Sequence, residues 1–477
     1  MTRVSAVCAL ALMASGCASF SPDAGIGDVA RGVASEAGPG AGGSVTKITT
    51  AEQAQRAKER VSTLLGQGRI SADAAVQVAL LNNRDLQAAY NDLGLSEAEY
   101  VQASLPPNPG LSLMRVAGTG VINFEARIIE DLLSLFTLKR RTEIAAEHFE
   151  HAKHQAIAAT LRLASDTRRA YIRAIAAEQQ VAFLDRARTT VDASVRLNIR
   201  LAQAGGGDQL DQAELAAFYA ELSARVGQAR LVARRERESL IRLMGLWGDD
   251  VRVLMLPVEL PALPRDLTPI DAVEVEAIKR RADLIQARHD VAALAKSLTL
   301  TDATRWVSML QLAGIVNTES ANPLTNSNTD ITRGGAQLDV TLPVFDTGEA
   351  RQRSARESYM RSLNLLAAKA VNARSEARIA YETYRGTYDI ARYWQDRVLP
   401  LRQTVSREIA TRYNNGVLAS EGLRVDLFKF LVDARTRTMA EASALDARRD
   451  FFIADVDLQV ALTIGTPQPG AGAPTMP

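Results

Sequence analysis

The chain has 477 residues, of which only 5% are aromatic and two are cysteines. Both cysteines, Cys8 and Cys17, stand near the start, so removal of a leader would leave at most one. This excludes an internal disulfide and any metal site built on paired cysteines. Beyond the leader, no run of 18 apolar residues occurs, and the sequence therefore predicts that any membrane crossing uses β-strands. Proline is absent from Gly110 to Leu256, which favours long helices.

The chain also lacks an excess of positive or negative charge. The 56 basic and 55 acidic residues are interspersed and leave a net charge of +1. With no basic stripe, no nucleic-acid partner is expected. No Ser/His/Asp set, Walker loop or dinucleotide fingerprint stands at usable spacing. We therefore expect neither an enzyme nor a cofactor.

The first residues are typical of a bacterial export signal. Arg3 precedes the short apolar stretch Val4–Met13, and Ala14-Ser15-Gly16-Cys17 resembles a lipobox. Cys17 would then be acylated and become the first mature residue, and Ala18 after it implies sorting to the outer membrane. The alternative is an ordinary signal-peptidase cut nearby. We expect a signal peptide over residues 1–16 and, because residues 17–49 are rich in Ala, Gly and Ser, a lipid-anchored flexible tether over that range.

The rest of the chain contains a tandem duplication. Residues 70–89 and 268–287 share several identical residues at one constant offset, among them Asp73/Asp271 and Leu86/Leu284. Duplication of a strand-and-helix unit suggests quasi-symmetric packing around an axis. We assign repeats to residues 50–256 and 270–465, a proline-rich linker to residues 257–269 and a disordered tail to residues 466–477.

Each copy is expected to contain a strand pair, a very long helix, a glycine-bearing tip and a returning helix. A helix of about 66 residues would be roughly 100 Å long. The predicted strands are Leu111–Val116, Val121–Ile129, Trp306–Val316 and Ile331–Leu342, and the predicted long and returning helices are Leu138–Gln203, Gln209–Met244, Gly348–Tyr413 (with a kink at Pro400) and Ser420–Ile464.

Apolar and polar residues alternate along the strands, which gives each strand one face of either kind. Four strands cannot close a barrel, so strands that enter a membrane must be pooled with those of other copies, and three copies would supply twelve. The alternative is a soluble four-stranded sandwich. In the membrane arrangement the polar residues would line an aqueous lumen: Glu125, Arg127, Gln337, Asp339 and Thr341.

One motif is more specific than the rest. The stretch from Leu342 to Gly348, with Pro343, Phe345 and Asp346, resembles the strand-to-helix junction of the TolC-like outer membrane factor family. The entry to the first strand, the VLP at residues 398–400 and the RYNNG at residues 412–416 resemble other motifs of that family. The resemblance covers nearly the whole mature chain. In the first repeat, Leu135–Leu138 lacks the aspartate and glycine of this junction, so a different helix cap is expected there.

This resemblance implies a mainly α fold with a small β part, assembled as a homotrimer. A twelve-stranded outer-membrane β-barrel would continue into a periplasmic α-helical tunnel, with outer membrane lipid around it. The chain would be a passive duct for small molecules or metal ions in a tripartite efflux system. Its partners would be a periplasmic adaptor (membrane fusion) protein and an inner-membrane pump of the resistance-nodulation-division type.

The helical tips would form the periplasmic end. In a trimer, an acidic residue near the tip becomes a ring of three carboxylates that can constrict the pore, although such residues also cap helices. The gate candidates are Asp208, Asp211 and Glu421. Because tips of this family dock adaptors, the adaptor-contact candidates are Arg200, Gly205, Arg412, Tyr413, Gly416 and Val417.

Three histidines, His148, His151 and His154, follow one another at intervals of three on the long helix. They are weak metal-ligand candidates, because they spread over about 120° of the helix and a closed site needs a ligand from another segment. A solvated helical face explains them equally well.

Two rival functions remain open. One is a lipid-anchored periplasmic coiled-coil scaffold without a pore, which the long helices and the tether fit. The other is an outer membrane duct of a protein secretion system.

Overall fold

A computed structural model describes residues 20–118, 121–203, 209–267, 269–270, 272–321, 331–415 and 427–465. Within these ranges no helix has the combination of length and apolar composition that a bilayer crossing requires. The elements in chain order are α1 (Ile26–Ala37), α2 (Pro39–Gly42), α3 (Ala51–Leu65), α4 (Ala72–Asn82), α5 (Arg84–Ser104), β1 (Gly110–Ala117), β2 (Val121–Asp131), α6 (Leu132–Gln203), α7 (Gln209–Leu243), α8 (Asp250–Val253), α9 (Val273–Arg280), α10 (Ala282–Ala303), β3 (Leu310–Ala321), β4 (Ile331–Val340), α11 (Glu349–Tyr393), a π-helical turn (Trp394–Val398), α12 (Leu399–Asn415) and α13 (Leu427–Thr463).

The chain divides into two compact units, and each draws on both halves of the sequence. Among described residues, the first unit comprises residues 20–27, 90–156 and 283–370, and the second comprises most of the remaining helices. Sequential repeats and structural units are therefore different divisions of this chain. The long helix α6 contributes its beginning to the first unit and its remainder to the second.

The first unit contains one antiparallel sheet of four strands in the order β1-β2-β3-β4. Pairs Leu111↔Ile128 and Leu310↔Val340 set the register within each hairpin. The central pair joins the two repeats, with Ile128 opposite Gly314. The duplication thus supplies two hairpins that complete one sheet.

The second unit has an aliphatic core, with Ile175 of α6 and Leu240 of α7 fully buried. Helix α7 ends at a glycine, as the sequence predicted. Gly245 has φ +64°, and a Cβ on it would lie 2.8 Å from the carbonyl oxygen of Asn82. Asn82 Nδ2 donates to the Gly245 carbonyl at 2.5 Å. A side chain at this position would therefore separate α4 from the end of α7.

The prediction of a flexible tether over residues 17–49 is wrong for residues 26–37. Residues 26–37 form α1, in which Val29 and Val33 are completely buried. Gly32 has no Cβ, and one would lie 2.5 Å from Ile157 Cδ1, so α1 approaches α6 closely. Arg280 also donates to Glu36. Small residues, taken from the sequence as a sign of flexibility, here permit close helix packing.

The irregularity expected at Pro400 lies in the turn before it. Proline has no N–H to donate within a helix, and the preceding backbone widens into the π turn Trp394–Val398. Leu399 N–H bonds the carbonyl of Trp394, five residues back. The remaining predicted elements are present, with ends that differ by a few residues. Helix α6 begins at Leu132 rather than Leu138, and β3 begins at Leu310 rather than Trp306 and extends to Ala321.

Candidate functional site

The two faces of the sheet differ in chemistry. On one face, here called the apolar face, the register aligns Leu111, Leu113, Phe124, Ile128, Leu312, Val316, Leu338 and Val340. All eight side chains are exposed to solvent. A sheet face of this kind is unusual for a protein surrounded by water, because contiguous exposed apolar area marks an interaction surface.

The opposite face, here called the polar face, carries the residues predicted to line a lumen. The register puts Glu125, Arg127, Gln337 and Asp339 on this side. Arg127 donates to Glu125, and Gln337 Nε2 donates to Asp339 Oδ1 at 2.8 Å. Each polar pair is formed two residues apart on one strand, as period two requires.

Thr341 lies one residue beyond β4, and its N–H donates to the Met309 carbonyl at 3.4 Å. The strand on which Thr341 was predicted to lie therefore ends one residue before it. On the same face, Arg333 pairs with Glu319 across the β3–β4 hairpin at 2.8 Å. A polar surface thus extends over β2, β3 and β4.

The sheet has two outer edges. Within the described residues, β1 and β4 each pair with one strand only. An edge strand presents unpaired N–H and C=O groups that can bond another strand. The apolar face therefore calls for an apolar environment, and the two edges call for hydrogen-bond partners.

The predicted junction from β4 to α11 is built around Gly348. This residue has φ +74°, and a Cβ would lie 2.7 Å from the carbonyl oxygen of Arg305. Asp346 Oδ1 accepts from the Gly348 N–H at 2.8 Å, and Arg305 Nε donates to the Thr347 carbonyl at 3.0 Å. Asp346 therefore closes a turn before the helix instead of capping its first N–H groups. Pro343 follows the strand, and Phe345 is fully exposed beside it.

The equivalent junction of the first repeat was not identified from the sequence. Asp131, the last residue of β2, accepts from the N–H of Ser134 at 3.0 Å and from its hydroxyl at 2.6 Å. These bonds satisfy a donor at the start of α6. The sequence signal is an aspartate three residues before a serine at a strand-to-helix boundary, and it lacks the glycine that marks the second junction.

The tip candidates lie mostly outside the described residues. This holds for Gly205, Asp208, Gly416, Val417 and Glu421, and likewise for the side chain of Tyr413. Asp211 is in the first turn of α7, where the helix N-terminus favours a carboxylate. Arg200 is exposed near the end of α6, and Arg412 donates to Glu408 of its own helix at 2.7 Å. Cys17 also precedes the described residues.

With the sheet, the junctions and the long helices defined, the chain can be compared with solved structures. No family model matches the sequence, and no curated protein sequence matches it significantly. A membrane protein from Pseudomonas aeruginosa has a TM-score of 0.71 at 20% identity, over 82% of this chain and 93% of that one. The outer-membrane channel OprN has a TM-score of 0.70 at 20% identity, over 83% and 91%. CusC, whose structures concern folding and transmembrane channel formation, has a TM-score of 0.68 at 17% identity, over 83% and 92%.

The chain has the fold of the TolC-like outer membrane channels. This confirms the resemblance stated from the junction and tip motifs. The mostly helical architecture with a small antiparallel sheet is likewise confirmed. The TolC-like fold also accounts for the first structural unit, because one sheet assembled from two repeats requires that unit to combine both halves of the chain.

A side-chain cluster in this TolC-like fold involves two of the three predicted histidines. His151 Nδ1 lies 2.6 Å from Asp290 Oδ1, and His289 Nδ1 lies 2.7 Å from Glu147 Oε2. Lys296 Nζ donates to the other oxygen of Glu147 at 2.7 Å. These contacts join the beginning of α6 to α10. His148 is exposed and takes no part in these contacts.

The rings of His154 and His289 stack in the same cluster, 5.7 Å apart between centroids. Burial, followed by the nearby His289, lowers the pKa of His154. For Glu147, burial raises the pKa, but the bonds from His289 and Lys296 outweigh it and the net pKa is lowered. The described residues include no group of three His, Cys, Asp or Glu side chains arranged to hold a metal ion. The sequence analysis missed His289 and Asp290, because neither has a local pattern that relates it to α6.

Proposed function

We propose that this chain is the outer membrane component of a tripartite efflux system and forms a passive homotrimeric duct. The observation that carries the proposal is the sheet, whose apolar face is exposed on all four strands while the polar face bears charged residues. In a bilayer, the first face contacts lipid and the second faces water. In water alone, that apolar face would drive aggregation.

The two edges support a trimer. Unpaired backbone groups cost several kcal/mol each in lipid, by an order-of-magnitude estimate, so the edges of β1 and β4 must be bonded. Pairing β4 of one copy with β1 of the next bonds every edge, and three copies give twelve strands in a closed barrel. Glu125, Arg127, Gln337 and Asp339 then line the lumen.

The remaining roles follow from this arrangement. The long helices α6, α7, α11, α12 and α13 of three chains would form the periplasmic tunnel. Its tips would meet a periplasmic adaptor and an inner-membrane pump of the resistance-nodulation-division type, with small molecules or metal ions as cargo. Asp208, Asp211 and Glu421 would constrict the tip. Acylation of Cys17 would anchor each chain in the outer membrane.

Native mass spectrometry of the full-length protein in detergent tests the assembly. The expected particle has three times the mass of the mature chain, and each subunit carries lipid on Cys17. A monomer, under conditions that preserve known channels, would leave the sheet edges unpaired and favour the coiled-coil scaffold. A trimer without lipid would support the duct and contradict only the anchor.

A matched pair of variants tests the two faces. Leu113→Arg places a charge on the apolar face, and Gln337→Arg places the same side chain on the polar face. A lipid-facing arginine costs about 2–4 kcal/mol at mid-bilayer, so L113R should lose outer-membrane trimers and single-channel conductance. Q337R should assemble normally and change the ion selectivity only. Equal tolerance of both arginines would contradict the membrane assignment.

A further inference from the structure

A cavity of about 520 Å³ lies in the second unit among the long helices α6, α7, α12 and α13. Its size is within the range of about 300–1,000 Å³ that is usual for small-molecule sites. It is lined within one chain, by residues distinct from the predicted lumen, gate and adaptor-contact residues.

One part of the lining is apolar and contains three phenylalanines, including Phe430 of α13. Phe183 comes from α6, Phe218 and Leu222 from α7, and Leu431 from α13. Phe218, Leu222 and Leu431 are buried. Aromatic and aliphatic walls of this kind bind the flat or greasy part of a small molecule.

The cavity lining also includes an acidic residue that is largely buried. Asp433 of α13 is only 9% exposed. It has no hydrogen-bond or ion-pair partner among the residues that the structure describes. Its side chain lines the cavity, so a cationic group in the cavity would be attracted to this carboxylate.

A second polar residue of the lining, Ser406, belongs to α12. The Ser406 hydroxyl is buried and has no hydrogen-bond partner in the described structure. Other hydroxyls of α12 bond the carbonyl four residues back, Thr404 to Pro400 at 3.0 Å and Thr411 to Arg407 at 2.8 Å. Ser406 departs from this local pattern and keeps both a donor and an acceptor for a ligand.

Positive charge in the lining stays near the solvent. Arg186 and Arg437 are exposed, and Arg437 donates to Glu441 at 2.9 Å. Exposed charges are screened by water and salt, whereas Asp433 lies in the interior. The charge that decides ligand selection is therefore the negative one.

We propose that this cavity binds a small amphiphilic organic cation, with its apolar rings against Phe183 and Phe430 and its cationic group at Asp433. The Ser406 hydroxyl provides an additional hydrogen bond. Binding in this cavity does not require the proposed function, since the site is contained within one chain.

Photolabelling with ethidium azide, a flat amphiphilic cation, tests the location. The full-length protein in detergent is irradiated with the probe, digested and mapped by mass spectrometry. The expected label falls on peptides that contain residues 183–222 or 406–441 and is suppressed by unmodified ethidium. Label that is spread over the exposed apolar strands would overturn the proposal, because it would indicate partition into the detergent layer.

Two variants test the chemistry by equilibrium binding of ethidium. Asp433→Asn removes the charge at nearly constant shape and should weaken binding roughly tenfold, as expected when a charged hydrogen bond is lost. Ala434→Phe fills the cavity and should abolish saturable binding. Asp446→Asn, on the same helix but outside this cavity, should leave the affinity within about twofold, by the same conversion.

Neutral phenylnaphthylamine distinguishes charge from apolar contact. Its affinity should be unchanged by D433N. Ethidium affinity that is equal in wild type and D433N, or saturable binding that survives A434F, would overturn the proposal. If A434F fails to fold, as judged by helical circular dichroism, Ala187→Leu fills the same cavity from α6 and replaces it.

Discussion

The two repeats enter their long helices through different chemistry, although each uses an aspartate. Asp131 bonds the backbone and side chain of Ser134 in the first turn of α6. Asp346 bonds the N–H of Gly348, and Gly348 adopts positive φ against the Arg305 carbonyl. The first junction is therefore local, whereas the second depends on a tertiary contact that a side chain would prevent. The two repeats therefore share a topology but differ in the hydrogen bonds that begin their long helices.

The largest effect is expected at the second junction. Gly348→Ala combines positive φ with a Cβ that would lie 2.7 Å from the Arg305 carbonyl oxygen. We expect a loss of about 2–3 kcal/mol in the local free energy of opening. Hydrogen exchange of peptides that contain residues 343–352 measures it.

Gly386→Ala is the matched control, because this glycine lies within α11 and a Cβ there meets nothing within 4 Å. It should stabilise the helix by up to about 1 kcal/mol. If G348A exchanged no faster than wild type, the tertiary contact would be irrelevant to the junction.

A second difference between the repeats is at the equivalent positions Asn83 and Arg281. Asn83 accepts from the Leu86 N–H at 3.0 Å and donates to the Leu243 carbonyl at 3.0 Å. Arg281 is 2% exposed and bonds Glu376 at 2.7 Å. Arg281→Met leaves Glu376 without this partner, and we expect a loss of about 2 kcal/mol, below the fully buried value because Glu376 is partly exposed.

Thermal unfolding followed by circular dichroism compares R281M with the double variant R281M/E376M. The double variant should recover at least half of the lost stability, since replacing both members of a buried pair removes the desolvated charge. A double variant as unstable as R281M would mean that packing, and not charge, accounts for the loss.

A smaller effect is expected from the two aspartates. Asp131→Ala removes an N-cap and should cost about 1 kcal/mol. Asp346→Ala removes one bond to an N–H and an exposed ion pair with Arg351 at 3.5 Å. Exposed ion pairs contribute little to stability, so the cost should be about half as large. Hydrogen exchange at the starts of α6 and α11 measures both. The Asn variants, which keep an acceptor, serve as controls, and equal effects at the two junctions would contradict the comparison.

The smallest effect concerns pH and the cluster between α6 and α10. The pKa of His154 is lowered in the folded protein by burial and by His289. The unfolded chain therefore binds a proton first, and stability falls as pH decreases below about 6.5, the ordinary pKa. The contribution of neutral His154 to stability is fully lost once the pH is below the pKa of His154 in the folded protein.

His154→Gln should flatten this slope in thermal melts between neutral and mildly acidic pH. Glu147 titrates lower, because its pKa is lowered from 4.5 and its stabilising effect is lost only below that value. The window of Glu147 therefore begins at a lower pH than that of His154. An unchanged slope in H154Q would exclude His154 as the responsible group.

Much of the fold could be predicted because its signals are local. Alternation along β2 and β4 predicted their faces, and Gly245 predicted the end of α7. The errors arose where one local pattern fits two structures. Small residues near Gly32 fit a flexible tether and also a tightly packed helix, and only the contact with Ile157 distinguishes them. The Asp131 cap was not predicted for a different reason, because it lacks the glycine that marks the second junction.

The sequence by itself determined the elements and their order, the duplication and the two-faced strands, because periodicity and turn residues act over a few positions. Only the tertiary structure decided which strands meet at the centre of the sheet, with Ile128 opposite Gly314. It also decided that His289 bonds Glu147, 142 positions away, and that Asp433 and Ser406 share one cavity. Such contacts depend on how distant segments pack, and no local pattern specifies a partner at that separation.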